Sequence, residues 1–145
     1  TPVISSAASD VYKRQDSDFV IDCSDNFETR KIINEYCFKN NKDLISGACI
    51  GWKGQIFNFN FSSSNSSCYE CLFEEIEEED LSCRESSIFS PLAGLVGTFL
   101  AIEIIKNILE INNSKENFIE IDSLTNEIQK REIKKNPFCK ICKKK

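Results

Sequence analysis

The sequence predicts a single α/β domain with a partly parallel sheet that is extended by antiparallel strands. An apolar run at 18–22 ends in acidic and amide side chains, and a helical pattern follows at once, as in an open α/β sheet. Residues 55–61 alternate phenylalanine with asparagine, which is typical of a half-buried antiparallel strand. The 145 residues amount to one domain with a real core.

The first strand defines the start of the domain. Residues 1–15 show neither a period nor an apolar face, and we expect a foreign or disordered leader there, followed by the domain at 16–145. After the strand, apolar residues recur at helical spacing over 25–40 and predict a helix.

The middle of the chain predicts two neighbouring strands. The first is expected at 42–49, where Gly47 and Ala48 suit the close approach of another backbone. A turn at 51–54 then leads into the strand at 55–61, whose phenylalanines form either core or a docking surface, with core the favoured interpretation.

A long helix follows the acidic run at 74–80. Ser90 and Pro91 are a typical helix start, and the pattern continues to about Glu110. It is apolar on nearly all sides, but Glu103 and Lys106 interrupt it before the ~20 residues that a bilayer needs, so we expect a buried helix rather than a membrane span.

The last part of the chain predicts a pair of strands and a basic tail. The strands are expected at 118–121 and 127–133, joined by a turn at 123–126. This pair supplies the antiparallel extension of the sheet.

Composition excludes several classes of function. A formal net charge of -5 argues against a nucleic-acid partner. The absence of histidine excludes a Ser-His or Cys-His catalytic pair within this chain. The eight cysteines are separated by long helix and strand patterns, and no secretory signal precedes them, so we expect a reducing, cytoplasmic compartment.

Four of the cysteines form two Cys-x-x-Cys pairs, Cys68 with Cys71 and Cys139 with Cys142. Four thiolates complete a closed tetrahedral zinc site, which stabilises folding and leaves no position for catalysis. One such pair alone is equally compatible with a redox dithiol. Two pairs favour zinc, and the dithiol protein remains the alternative.

The other cysteines divide into two groups. Cys83 stands beside Arg84 in a polar loop before the long helix, where a guanidinium and a helix dipole favour a thiolate, although an incidental loop cysteine fits as well. Cys23, Cys37 and Cys49 lie in apolar segments and are expected to be small core residues.

Asp25 and Asn26 follow the first strand, where α/β sheets bind ligands. A carboxylate there suits a metal, or a phosphate held through a metal. Both residues are also favoured helix N-caps, and the local pattern alone favours capping.

Five stretches, spread over nearly all of the chain from Asp16, occur in an order that points to a known family. They are DFVIDCSDNFETR (18–30), LISGACIGWKGQI (44–56), CYECLF (68–73), SCRESSIFSPLAGLVGTFLAIEIIK (82–106) and FCKIC (138–142). In this order they resemble the C-terminal half of the ThiF/MoeB/HesA family, the bacterial relatives of ubiquitin-activating enzymes.

The resemblance implies a Rossmann-like ThiF-type fold and an adenylation reaction. Family members use ATP and Mg²⁺ to activate the C-terminal Gly-Gly carboxylate of a small ubiquitin-like sulfur-carrier protein. By this likeness, Asp25 matches the magnesium-binding aspartate needed for adenylation, with Asn26 and Arg30 in supporting, cofactor-binding roles. Cys83 matches the cysteine that can form a covalent sulfur link to the carrier, and the paired cysteines match the structural Zn²⁺ site.

The likeness also has a gap. The family's N-terminal half carries a Gly-rich phosphate loop, and this chain has no G-x-G-x-x-G. We therefore expect a fragment that binds ATP weakly or not at all, taken from a protein that forms homodimers and has no membrane or nucleic-acid partner. The alternative function is a non-catalytic, zinc-stapled module that holds a carrier protein without activating it.

Overall fold

The computed structural model describes residues 19–63, 66–73, 87–111 and 117–144. Three features of the sequence lie outside the described residues: the expected leader at 1–15, the acidic run at 74–80 and Cys83.

The described residues form one five-stranded sheet with helices on both faces. The strands are β1 (Phe19–Asp22), β2 (Asp43–Ile50), β3 (Lys53–Phe59), β4 (Asn117–Asp122) and β5 (Glu127–Glu132), and the helices are α1 (Phe27–Lys39), α2 (Tyr69–Phe73) and α3 (Ser90–Ile108). The strands lie in sequence order, β1 parallel to β2 and all later neighbours antiparallel. The predicted mixed sheet with an antiparallel extension is confirmed.

One face of the sheet packs against α1 and α2. Phe57, Phe59 and Phe61 are fully buried there, and their rings contact one another and the ring of Tyr69. The preferred interpretation of these phenylalanines as core is confirmed. The strand is not half-buried as predicted, however, because α3 covers its other face at Ile56.

The other face packs against α3 through a row of residues one helical turn apart, Leu92, Val96 and Leu100. Two strand glycines let the helix approach closely. A Cβ added at Gly54 would lie 2.5 Å from Val96 Cγ2, and one at Gly47 would lie 2.6 Å from Leu100 Cδ1. The close approach at Gly47 is made by the Leu100 side chain and not by another backbone, which differs from the prediction.

The expectation of a buried α3 is wrong for the part of the chain that the structure describes. Only one row of the helix faces the sheet, while Leu95, Ile102 and Ile105 are exposed. The predicted cap also shifts by one residue, because Phe89 is the N-cap and Ser90 is already helical. By length and composition alone, α3 is apolar enough to cross a membrane. One such helix is only weak evidence for a membrane span.

Candidate functional site

A pocket of ≈ 490 Å³ lies where β1 and β2 end. Its walls come from the turn between β1 and α1, the last residues of β2, and parts of α2 and α3. Asp25, Asn26 and Arg30, which the sequence singles out, all line it. This is the edge of an α/β sheet at which ligands bind.

Asn26 and Asp25 have different roles in the turn. The Asn26 side-chain oxygen accepts a hydrogen bond of 2.7 Å from the backbone N–H of Thr29, so Asn26 caps α1. Asp25 is exposed, and its carboxylate accepts only a long 3.4 Å contact from the Asn26 amide among the described residues. The Asp25 carboxylate is therefore open to a ligand in the pocket.

The Arg30 guanidinium is buried and holds the turn together. It donates to Ser46 Oγ at 2.7 Å, to the Gly47 carbonyl at 2.8 Å, to Asp22 Oδ2 at 3.4 Å and to the Ser24 carbonyl. These contacts join the end of β1, the turn after it and β2. Arg30 therefore positions the turn after β1. Its expected contact with a cofactor stays a prediction.

Asp22 and Ser46 are buried partners of Arg30 beside the candidate site, and the sequence analysis missed both of them. Asp22 is 3% exposed and accepts hydrogen bonds from the Ser46 hydroxyl at 2.7 Å and the Ser24 backbone N–H at 2.9 Å, in addition to its ion pair with Arg30. A buried carboxylate needs such partners. The signal in the sequence is an aspartate as the last residue of an otherwise apolar strand.

The four paired cysteines meet in one cluster. Neighbouring sulfurs are 3.9 Å apart for Cys68 and Cys71, 3.5 Å for Cys68 and Cys139, and 3.2 Å for Cys71 and Cys142. All four lie within 4.8 Å of one another. Zn–S bonds of ~2.3 Å in a tetrahedron separate sulfurs by ~3.8 Å, so the four residues fit a metal ion of this kind.

The electrostatics of the cluster favour a thiolate at Cys71. A hydrogen bond from Cys68 is the main cause that lowers the pKa of Cys71 to about 5. The same hydrogen bond, followed by burial, raises the pKa of Cys68. Burial also raises the pKa of Cys142. A cation bound by the four sulfurs would favour the thiolate form of each of them, since metal ligation requires thiolates.

The remaining described cysteines differ from one another. Cys37 is fully buried as expected, and burial raises its pKa to about 12. Cys23 is exposed, so the expectation that it belongs to the core is wrong: β1 ends at Asp22, and Cys23 lines the pocket beyond it. Cys49 is half-buried and lines the same pocket. Cys83 stays a prediction.

Comparison with known proteins gives a consistent result. The model of the ThiF family matches residues 2–141. The Escherichia coli K12 molybdopterin-synthase adenylyltransferase is 32% identical over 126 residues, which cover 86% of this chain and 50% of that protein. The sulfur carrier protein ThiS adenylyltransferase of the same strain is 29% identical over 126 residues, covering 87% and 50%. The chain thus spans about half the length of these curated relatives.

Solved structures agree on the fold. A crystal structure of E. coli MccB with MccA-N7isoASN superimposes with a TM-score of 0.72 at 20% identity, covering 92% of this chain and 43% of that one. At this identity the likeness concerns the fold alone.

Proposed function

The chain belongs to the ThiF family, and on that premise we propose that the complete protein adenylates the C-terminal Gly-Gly carboxylate of a ubiquitin-like sulfur-carrier protein. The names of the relatives support the reaction and the kind of partner. Because the chain spans about half of those relatives, the proposal assigns the Gly-rich phosphate loop to a part of the protein beyond this chain.

The observation that carries the proposal is the open carboxylate of Asp25 in the pocket where β1 ends. Because Asn26 caps α1, the hydrogen bonds among the described residues leave the Asp25 carboxylate available to a ligand. A carboxylate at this edge of the sheet is a suitable ligand for Mg²⁺, which takes oxygen ligands and accompanies nucleotide phosphates.

The reaction begins with attack of a carboxylate oxygen of the terminal glycine on the α-phosphorus of ATP. The new O–P bond forms as the bond between the α-phosphorus and the bridging oxygen breaks, and pyrophosphate leaves with that electron pair. Asp25 would hold Mg²⁺, which when bound would stabilise the negative charge on the phosphate oxygens. Arg30 keeps the turn that carries Asp25 in one conformation through its bonds to the Ser24 and Gly47 carbonyls.

The cysteine cluster has a structural part in this proposal. Cys68, Cys71, Cys139 and Cys142 would hold Zn²⁺, which would join α2 to the last residues described. Tyr69 and Phe73 of α2 line the pocket, so the metal would keep this wall in position without entering the reaction. Homodimer formation, a cytoplasmic location and a covalent role for Cys83 are further parts of the proposal.

ATP–pyrophosphate exchange tests the function. The gene is extended upstream to the length of its relatives, and exchange is measured with carriers that end in Gly-Gly. We expect carrier-dependent exchange that falls by about 100-fold or more in Asp25→Asn, because the Mg²⁺ that would stabilise the transition-state charge loses a ligand. Glu28→Gln is the matched control, since Glu28 is an exposed acid in the first turn of α1, three residues from Asp25, and does not line the pocket.

The contrary outcomes are distinct. Full pyrophosphate exchange by the Asp25→Asn variant would mean that Asp25 is not needed for the reaction. Carrier binding without exchange in the extended, zinc-loaded protein would favour the non-catalytic module instead.

A further inference from the structure

The first cysteine pair is held by a helix that contributes no cysteine to the cluster. The backbone N–H of Tyr69, the residue after Cys68, donates a hydrogen bond of 2.9 Å to the side-chain oxygen of Asn34. Asn34 lies in α1, 35 residues earlier in the chain, and is fully buried. One side chain of α1 therefore contacts the backbone between Cys68 and Cys71.

This hydrogen bond acts on the N-terminus of α2. The first N–H groups of any helix lack an acceptor within the helix, and α2 has only five residues, so few internal bonds hold it in place. Cys71 lies inside α2, and its backbone N–H donates to the Cys68 carbonyl at 2.9 Å. Because Tyr69 is joined to Cys68 and begins the turn that contains Cys71, a shift of Tyr69 would move both sulfurs of the pair.

Asn34 offers its oxygen from a fixed position, because α1 is itself anchored. Arg30 precedes Asn34 by one helical turn and is buried on the same face of α1. The Arg30 guanidinium donates to the carbonyls of Ser24 and Gly47, which ties α1 to the turn after β1 and to β2. The acceptor for Tyr69 is thus held by the core of the domain.

Only one end of the Asn34 amide is paired. Its side-chain nitrogen is buried and has no hydrogen-bond partner among the described residues. A buried donor without an acceptor lowers the stability of the folded chain. The bond to the Tyr69 N–H is therefore the polar contact through which Asn34 acts on its surroundings.

We propose that Asn34 is a positioning residue of the zinc site, which fixes the backbone between Cys68 and Cys71 so that both sulfurs can reach one ion. Asn34 does not touch the metal and acts through the Tyr69 N–H. This inference rests on the zinc site of the proposed function and adds a residue beyond its four ligands. Groups that orient metal ligands typically contribute about 10–100-fold to metal affinity.

The zinc affinity of the extended protein tests this role. It is measured by competition with a chromophoric zinc chelator for the wild type, Asn34→Leu and Asn34→Asp. We expect Asn34→Leu to weaken zinc binding by about tenfold or more, because the Tyr69 N–H loses its acceptor. Asn34→Asp keeps an acceptor oxygen in the same place and should retain more zinc affinity than Asn34→Leu.

Cys37→Ala is the matched control. Cys37 is also fully buried in α1 and packs in the same core, but it is not part of the cysteine cluster. This variant should unfold at a lower temperature and keep the zinc affinity of the wild type. The rate at which excess chelator removes zinc from each loaded protein is a second readout, which does not require the zinc-free variants to fold.

The contrary outcomes are separable. Equal zinc affinity and equal release rates in Asn34→Leu and the wild type would overturn the inference, and so would equal losses in Asn34→Leu and Cys37→Ala. If Asn34→Asp lost as much affinity as Asn34→Leu, the bond to the Tyr69 N–H would not be the cause. If the wild-type protein binds no zinc, the zinc site of the proposed function fails, and this role of Asn34 fails with it.

Discussion

Two neighbouring residues, Asp25 and Asn26, show how much the sequence reveals at the scale of single side chains. Both residue types cap helices and both bind ligands, so the pattern alone leaves their roles interchangeable. The coordinates separate them through one contact, the bond from Thr29 N–H to the Asn26 side chain. That contact depends on the turn geometry, which residue identity does not fix.

The separation predicts different effects on stability. Asn26→Ala removes the cap of α1 and should lower the free energy of unfolding by about 1 kcal/mol. Asp25→Ala, at an exposed position without a capping bond, should change it by no more than about 0.5 kcal/mol. Urea unfolding of both variants measures the difference. A larger loss in Asp25→Ala than in Asn26→Ala would reverse the two roles.

Arg30 illustrates what the sequence leaves hidden. Its partners Asp22 and Ser46 are 8 and 16 residues away along the chain. No local periodicity links an arginine in a helix to a serine in the next strand. The family likeness draws attention to Arg30 but is silent about its contacts, and only the pairing of β1 with β2 brings the three side chains together.

At the scale of elements, the sequence predicts the order and type of α1, α3 and every strand in the part of the chain that the structure describes. Periods of 2 and 3.6 residues are local properties, and they fix these elements to within a few residues. The orientation of α3 is different. Its apolar residues surround the helix, so hydropathy cannot tell which row packs on the sheet. Gly47 and Gly54 determine which row of α3 faces the sheet, because they let Leu100 and Val96 approach the strands.

This contact predicts a compensating pair of substitutions. Gly54→Ala puts a Cβ 2.5 Å from Val96 Cγ2 and should cost about 1–3 kcal/mol of stability through overpacking. In a Val96→Ala background the clash is relieved, so the same change should cost less. Chemical unfolding of the two single variants and the double variant gives the coupling energy. Strictly additive effects would contradict the direct contact between α3 and β3.

At the scale of the whole molecule, the cysteine cluster joins parts of the chain that are far apart in sequence. Cys68 and Cys139 are separated by 71 residues, yet their sulfurs lie 3.5 Å apart. The spacing of each pair is readable in the sequence, and it predicted this cluster. The sequence does not predict that the cluster lies beside α2, whose Tyr69 lines the pocket. This position depends on the packing of Tyr69 against Phe57 and Phe59.

The proposal that the cluster binds zinc predicts that the stability of the folded chain depends on the metal. A ligand that binds only the folded chain stabilises it by about 2.7 kcal/mol at a hundredfold excess over Kd, and zinc held by four thiolates should exceed this value. We expect a chelator to lower the unfolding temperature and acidification to release the metal, because the thiols must lose protons to bind it. Metal analysis and thermal unfolding measure both effects.

The variant Cys142→Ser should lose the metal and unfold at a lower temperature, whereas Cys23→Ser, which changes an exposed cysteine outside the cluster, should retain it. If the purified protein instead holds no metal and its paired cysteines cycle reversibly between dithiol and disulfide, the cluster belongs to redox chemistry. If Cys142→Ser retained zinc and unfolded at an unchanged temperature, Cys142 would not be a zinc ligand. If the loss of zinc also displaced α2, the cysteine cluster would be shown to hold the wall of the candidate active site. The reason is that Tyr69, which lines the pocket, follows Cys68 directly in the chain.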